Sequence, residues 1–295
     1  MIRSMYSGVS GMRNNQTKMD VIGNNIANVS TTAFKSGRVR FQDMFSQTIS
    51  SAQGPTATGR GGVNPQQIGQ GVTIAAIDTL FEPGSLQPTD RDLDLAIEGE
   101  GFFIVSEDKA GLVQRYTRDG AFFKDTEGNL TTSSGLRVLG YGITGGGQYT
   151  QDVSDIVVGT SLVNMVIPEL IDVGGNEHKL EAFSIDSAGL ISAVYDNGEL
   201  YYLGRLAIAK FNNTGALQKL GGNAYTSTTN SGPAQTGGAA EEGFGIIRQG
   251  NLEMSNVDLA NEFTEMIVTS RAYQANARII TTSDEMLQEL VNLKR

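Results

Sequence analysis

The stretch IRSMYSGVSGMRNNQTKMDVIGNNI, residues 2 to 26, sets Ile2, Met5, Val9, Met12, Gln16, Met19, Gly23 and Ile26 at alternating spacings of three and four. Residues 259 to 291, LANEFTEMIVTSRAYQANARIITTSDEMLQELV, do the same with Leu259, Phe263, Met266, Ser270, Tyr273, Ala277, Ile280, Asp284, Leu287 and Val291. Each run is a heptad seam on one helical face. The runs are far apart in the chain, so local folding does not pair them. Each needs a partner, and the other terminus is the nearest candidate. The reading is α+β: terminal helices paired as a coiled-coil rod, with a central, mainly β region of one or two small domains.

Charge supports the pairing. Residues 1 to 45 carry Arg3, Arg13, Lys18, Lys35, Arg38 and Arg40 against Asp20 and Asp43. Residues 251 to 295 are acidic on balance, with Glu253, Asp258, Glu262, Glu265, Asp284, Glu285 and Glu289 against four cations. Opposite flanking charges select partners between helices or between copies, although each exposed pair contributes only about 0–1 kcal/mol.

The first helix is expected over Ser4 to Asn28, and the second from Ser255 or Asn256, with Asn256 as N-cap, to Leu293. Ser30, Thr31 and Thr32 offer capping hydroxyls, and Ala33 to Phe45 reads as a resumed helix or an extended arm. The Gly-, Pro- and Gln-rich Ser50 to Gly71 cannot bury a core and reads as an arm that orders only against neighbours. Residues 1–71 and 251–295 therefore form the rod domain. A first β domain covers 72–142 with about 204–250, and 143–203 is a small second β domain or insertion. Leu112 to Lys124 reads as a hairpin turning at Asp119-Gly120. Further turns fall at Glu127 to Asn129, Ser134-Gly135, Ser187 to Gly189 and Asp196 to Gly198. The triple glycine Gly145 to Gly147 marks a boundary.

The chain has 295 residues, net charge −10 and no cysteine. The acidic balance argues against a nucleic-acid partner, and disulfides and Cys-ligated metals are excluded. No run is long and apolar enough to span a membrane. The polar, amphipathic N-terminus does not resemble a cleaved signal, so export without one is expected. No catalytic constellation stands out. His178, the one histidine, lies in the polar stretch GGNEHK and reads as a surface-loop residue. Asp90, Asp92 and Asp94 alternate along an expected strand face, where a calcium site competes with a solvated edge; the EF-hand pattern is missing. Gly99 to Phe103 lacks the dinucleotide fingerprint, and the triple glycine is no phosphate loop. No cofactor, metal or catalytic residue is assigned. Paired glycosidase carboxylates rarely show in sequence, which keeps a secreted glycan-binding or glycan-active β-protein as an alternative of another class.

NNIANVSTTAFKSGR, Asn24 to Arg38, resembles the N-terminal signature of bacterial flagellar rod and hook proteins. The signature residues are Asn24, Asn25, Ala27, Asn28, Thr31, Thr32, Phe34 and Lys35. GEGFF, then TRDGAF at Thr117 to Phe122, GNLEMSNVDLANE and the closing helix are similar to the same family. Ser30 and Ala33 stand where the family often has Asn and Gly; Ala33 gives up glycine's freedom for positive φ. SRAYQANARIITTSDEML resembles the hook version more than the distal rod version. The middle is short for a hook, leaving only about Ile143 to Leu203 for an outer domain.

The resemblance implies a structural, non-enzymatic subunit that polymerises into the curved hollow tube of the hook and transmits torque as a flexible joint. The distal rod of the basal body is the alternative. It further implies self-assembly, partnership with a hook cap protein, a hook-filament junction protein and the distal rod protein, and an extracellular place reached by type III export. The helical seams Met5, Val9, Met12, Met19, Ile26, Leu259, Phe263, Met266, Tyr273, Ala277, Ile280, Leu287 and Val291 are the expected assembly interface.

Overall fold

The computed structural model describes residues 2–293 apart from 56–60, 110, 144–146, 148, 157, 159, 160 and 174. Part of the triple glycine thus lies outside the described residues. The chain divides into two compact units. One comprises residues 1–29, 36–80 and 257–295; the other comprises 30–35 and 81–256.

The first unit holds both long helices, α1 (Ile2–Ala27) and α2 (Leu259–Leu293). α2 starts later than expected. The Asp258 carboxylate accepts hydrogen bonds from the Ala260 and Asn261 amides at 2.9 and 3.4 Å, so Asp258 is the N-cap and not Asn256. An ionised cap also complements the positive end of the helix dipole. No described helix is long and apolar enough to cross a membrane.

After α1 the chain becomes extended and does not resume a helix. Gly37–Asp43 pairs antiparallel with Val72–Thr79. Val72–Thr79 therefore belongs to the helical unit, where the sequence had put the start of a β domain; its cross-strand partner lies more than thirty positions earlier, beyond local pattern reading. Ser50 to Gly71 is also more ordered than expected. Ser46–Ser50 pairs with Gln66–Gly69, and Gln53 bridges Val63, so the described parts of the segment pair antiparallel with each other; residues 56–60 lie outside the described residues. Every residue of its two strands is exposed.

The second unit is built on a sheet of thirteen described strands. Its path runs Leu170–Val173, Asn176–Ile185, Leu190–Tyr195, Leu200–Lys210, Arg137–Tyr141, Phe102–Ser106, Gln114–Thr117, Ala224–Thr226 and Gln218–Gly221. Residues 143–203 are no separate domain, because Leu200–Lys210 pairs with both Leu190–Tyr195 and Phe102–Ser106. The central strands are buried on both faces, which explains the unbroken apolar run FFIV. Phe103 and Val105 join one core cluster with Leu95, Phe122, Val138 and Leu206. Phe102 and Ile104 join the other with Tyr116, Tyr141, Phe211 and Tyr225.

Turns form where expected at 127–129, 134–135, 187–189 and 196–198. Asp119-Gly120 does not make a hairpin. Gln114–Thr117 pairs with Phe102–Ser106 and Ala224–Thr226, while Phe122–Lys124 pairs with Leu130–Thr132. Gly120 is needed for close approach: a Cβ there would lie 1.6 Å from the Leu95 carbonyl oxygen. The DRDL segment is a turn before Leu95–Glu98 and not a strand face. Asp94 is buried there, accepting from Thr89 Oγ1 at 2.7 Å beside Arg91. His178 sits within the strand Asn176–Ile185, not in a loop, with Nδ1 2.6 Å from Asp196 Oδ1.

Candidate assembly interface

The two helices run antiparallel. Asn25 Nδ2 donates to Glu262 Oε1 at 2.9 Å near one end, and Gly8 lies against Asn276, Ile279 and Ile280 near the other. Lys18 pairs with Glu265 at 2.5 Å between them. The facing positions on α1 are Gly8, Gly11, Asn15, Lys18, Ile22 and Asn25. On α2 they are Glu262, Glu265, Thr269, Ala272, Asn276, Ile279, Ile280 and Ser283. Gly11 lets the helices approach closely: a Cβ there would fall 2.7 Å from Asn276 Nδ2, so the Asn276 side chain would have to move. Thr269 and Ser283 are each 2% exposed, and Asn25 is 1% exposed.

This contact differs from the expected one. The apolar heptads are offset from it by one residue on both helices: Val9 follows Gly8, Met12 follows Gly11, and Phe263, Met266 and Tyr273 follow Glu262, Glu265 and Ala272. One residue is about 100° of helical rotation. Because the helices are antiparallel, the same offset turns both stripes to the same side of the pair. Met5, Val9, Met12, Met19 and Ile26 of α1 and Met266, Ala277, Ile280 and Leu287 of α2 are half-buried there. Leu259, Phe263, Tyr273 and Val291 are exposed, Phe263 by 50%. The helices thus meet largely through small and polar residues, with Ile22 and Ile280 also in the contact, and most seam residues lie beside it as one ribbon; α2 also exposes Ile267, Val268, Met286 and Leu290 away from the seam.

The opposite side of α1 is polar and occupied. Asn14 Nδ2 donates to the Val72 carbonyl at 2.5 Å, the Val72 amide approaches Ser10 Oγ at 3.5 Å, and Val21 lies beside Gly37. Among the described residues, the elements packed on α1 are α2 and the strands Gly37–Asp43 and Val72–Thr79. The surface is therefore one-sided: one face carries the unit's own strands and the other is apolar and open.

The signature residues divide between the units. Asn28 Nδ2 donates to the Asn24 side chain and carbonyl at 3.0 and 2.9 Å, closing the end of α1. Ala27 is exposed. The Asn25 side chain exchanges two hydrogen bonds with Gly37, both at 2.9 Å, besides the one to Glu262. Burial raises the Glu262 carboxyl above the usual range.

Residues 30–35 belong to the β unit. Thr32 Oγ1 donates to Asp119 Oδ1 at 3.2 Å, and Asn223 Nδ2 donates to the Thr32 carbonyl at 2.9 Å. Thr31 lies in the same turn, its carbonyl accepting from the Phe34 amide at 3.4 Å. The Phe34 ring lies 5.0 Å from Lys219 Nζ, which donates to the Lys35 carbonyl. Lys35 is fully buried and pairs with Glu253 at 2.6 Å; Arg118 pairs with the other Glu253 oxygen at 3.3 Å. Gly84 donates its amide to Glu253, and Lys35 Nζ donates to the Glu82 carbonyl at 2.8 Å. Burial lowers both cations from their ordinary ranges, opposed by Glu253. Burial, with the Glu253 charge, pushes the Tyr225 phenol up to about 12. Sequence reading picked out Lys35 but missed Glu253 and Arg118, although both lie in stretches it singled out.

Ala33 holds φ at +55° while 1% exposed, donating its amide to the Glu253 carbonyl at 2.8 Å. The residue that lacks glycine's freedom adopts the left-handed conformation anyway, at a cost of about 1–2 kcal/mol. Ala33→Gly is expected to leave the urea midpoint within a few tenths of its original value. Ala33→Val, with a β-branched side chain at positive φ, is expected to lower stability by about 2 kcal/mol or more. Equal midpoints for the two variants would contradict this.

Asp119 gives a pH dependence. Burial raises its carboxyl, with hydrogen bonds from Ala121, Thr32 and Asn223 opposing. The folded state then holds this proton above the unfolded pKa, so stability falls as pH rises from about 4 through the raised folded value. Asp119→Asn is expected to stabilise the β unit at pH 7 and to change little at pH 3, read by urea unfolding at both. The reverse order would assign the charged carboxylate a net stabilising role.

Three family models match the chain. Residues 5–35 match the flagella basal body rod protein model and 96–193 the flagellar hook protein FlgE/F/G D1 domain. Residues 248–293 match the flagellar basal body rod FlgEFG protein C-terminal model. The flagellar basal-body rod protein FlgG of Bacillus subtilis is 45% identical over 296 residues, covering 100% of both chains. In Borreliella burgdorferi, the flagellar hook protein FlgE is 33% identical over 445 residues and the rod protein FlgG 36% over 297, each covering 100% of both chains.

Proposed function

We propose, since this chain belongs to the family of flagellar hook and basal-body rod proteins, that it is a structural subunit of the flagellar axial tube, of the hook type. The observation that carries the reading is the one-sided apolar ribbon on the paired terminal helices. Exposed Leu259, Phe263, Tyr273 and Val291 on one face call for cover by another molecule, as contiguous apolar surface does in soluble proteins. Copies of the same chain would supply it, burying the helices against one another.

Hook rather than rod is favoured by a comparison within one organism. For Borreliella burgdorferi, 33% of 445 aligned positions is about 147 identities with the hook protein. For its rod protein, 36% of 297 is about 107. By these totals the chain shares more identities with the hook paralogue than with the rod paralogue, which supports the hook reading. The hook alignment also spans about 150 positions beyond this chain's 295, consistent with a reduced outer domain. The rod reading draws on length: the Bacillus subtilis rod protein aligns end to end over 296 positions at 45% identity, and the Borreliella burgdorferi rod protein does so over 297 at 36%.

On this reading the chain leaves the cell through the flagellar export apparatus, polymerises beneath a cap protein, and joins the distal rod below and junction proteins above. No catalytic role is proposed. Electron microscopy of cells lacking the gene tests the assignment. A complete rod without hook or filament is the expected result; a rod truncated at its distal end would make this a rod protein.

A further inference from the structure

We propose that Met5, Met12, Met19 and Met266 form an oxidation-sensitive site: a peroxide converts their thioethers to sulfoxides in the free subunit and thereby withholds it from assembly. The proposal rests on the axial-subunit reading, and adds a chemical modification that controls that assembly.

α1 carries three methionines, and all three fall on the apolar ribbon at intervals of seven residues. Met266 joins them from α2, one position past the contact residue Glu265. Each is half-buried, so a small oxidant reaches the sulfur in the free subunit. Met165, by contrast, is 2% exposed within the β core. The chain has neither cysteine nor tryptophan. No thiol competes for the oxidant, and thioethers are the most readily oxidised side chains present. In the reaction one peroxide oxygen is transferred to sulfur, which is oxidised, and the other leaves as water, which reduces the peroxide. The product is polar and chiral, and its oxygen needs a hydrogen-bond donor when buried. Val9, Ile26, Ala277 and Leu287 share the ribbon, and their side chains offer none. A side chain that packs well in the reduced state thus becomes a buried polar group without a partner in the oxidised one. Leucine would pack as well and would not oxidise, so the use of methionine couples redox state to cohesion. Packing between copies would in turn shield the sulfurs, so the site is open only before assembly.

Wild-type subunit treated with hydrogen peroxide, then with catalase to stop the reaction, is expected to show a critical concentration about tenfold higher or more by sedimentation. Methionine sulfoxide reductases A and B, one for each sulfoxide epimer, are expected to return it to within about twofold of the untreated value. Met5→Leu/Met12→Leu/Met19→Leu/Met266→Leu is expected to change by less than about threefold on peroxide treatment. Met44→Leu/Met254→Leu/Met286→Leu, which leaves the ribbon intact, is expected to stay as sensitive as the wild type. If the fourfold variant does not assemble even untreated, a partly oxidised wild-type sample decides. Peptide mapping by mass spectrometry is then expected to find sulfoxide at the four positions depleted about fivefold or more from the polymer relative to the supernatant. The site is overturned by treated wild type that assembles as before, by a failure of the reductases to restore assembly, or by a fourfold variant as sensitive as wild type. Sulfoxide at the four positions shared equally between polymer and supernatant overturns it as well. An untreated wild-type chain that never polymerises refutes the axial-subunit reading instead, so the two failures are distinct.

Discussion

Glu253→Ala is expected to remove about 3–5 kcal/mol from the stability of the β unit, as much as truncating a fully buried aromatic residue. The carboxylate is the one anion between Lys35 and Arg118, and all three side chains are nearly inaccessible to water. Deleting it strands two buried cations and leaves the Gly84 amide without its acceptor. Lys35→Met is expected to cost less. Glu253 would keep Arg118 and the Gly84 amide, so its charge stays compensated, and the methionine stem fills most of the lysine's space. Urea unfolding of the two variants checks the order. A loss from Glu253→Ala below about 1 kcal/mol, in the range of ordinary surface changes, would show that the cluster is replaceable by water or neighbours.

That asymmetry bears on how the signature loop is held. Six residues, 30–35, belong to the β unit, while the chain on either side belongs to the helical unit. Four ties to the loop backbone fix them there: the Ala33 amide to the Glu253 carbonyl, the Asn256 amide to the Phe34 carbonyl, Asn223 to the Thr32 carbonyl, and Lys219 to the Lys35 carbonyl. None of these ties reads the identity of the loop side chain. Lys35 does, because only a long cation reaches Glu253 and the Glu82 carbonyl together. Loss of the buried pair would therefore release the loop selectively, and with it the segment leading into Gly37–Asp43.

Much of this was legible in sequence where the determining interactions are local. Both helices announced themselves by periodicity, and the turns at 127–129, 134–135, 187–189 and 196–198 by their Gly, Asn and Asp content. What was not legible depended on partners distant in the chain. Asp119-Gly120 has the composition of a tight hairpin turn, yet Asp119 is engaged by Thr32 and Gly120 by the Leu95 backbone. Val72–Thr79 reads as any half-buried strand; only its pairing with Gly37–Asp43 places it beside the helices. The helix contact was misplaced by one residue for a sharper reason. Sequence patterning finds the apolar face of a helix, and in most folds that face meets the rest of the chain. Here it does so only in part: Gly8, Gly11, Ile22, Thr269, Ile280 and Ser283 make the internal contact, and most of the apolar seam remains for something else.

Phe263→Asp is accordingly expected to raise the critical concentration for polymerisation about a hundredfold or more, while the β unit of the monomer unfolds as before. Truncating a fully packed phenylalanine costs about 3–5 kcal/mol, and a buried charge adds to that. Half of this side chain is already covered within the subunit, so about 3 kcal/mol is a conservative share for assembly, and each 1.4 kcal/mol is a factor of ten. The informative control is Thr282→Asp. Thr282 is exposed and lies one residue to the other side of the facing position Ser283, so it places the same charge on α2 away from the seam. It is expected to change the critical concentration less than threefold. Sedimentation of polymer against protein concentration measures both. If Thr282→Asp blocked assembly and Phe263→Asp did not, the contact between copies would lie on the polar side, and the exposed apolar ribbon would need a partner other than this chain. If both variants assembled normally, the helices would contribute little to cohesion, and the β units and the paired strands Ser46–Ser50 and Gln66–Gly69 would have to hold the tube.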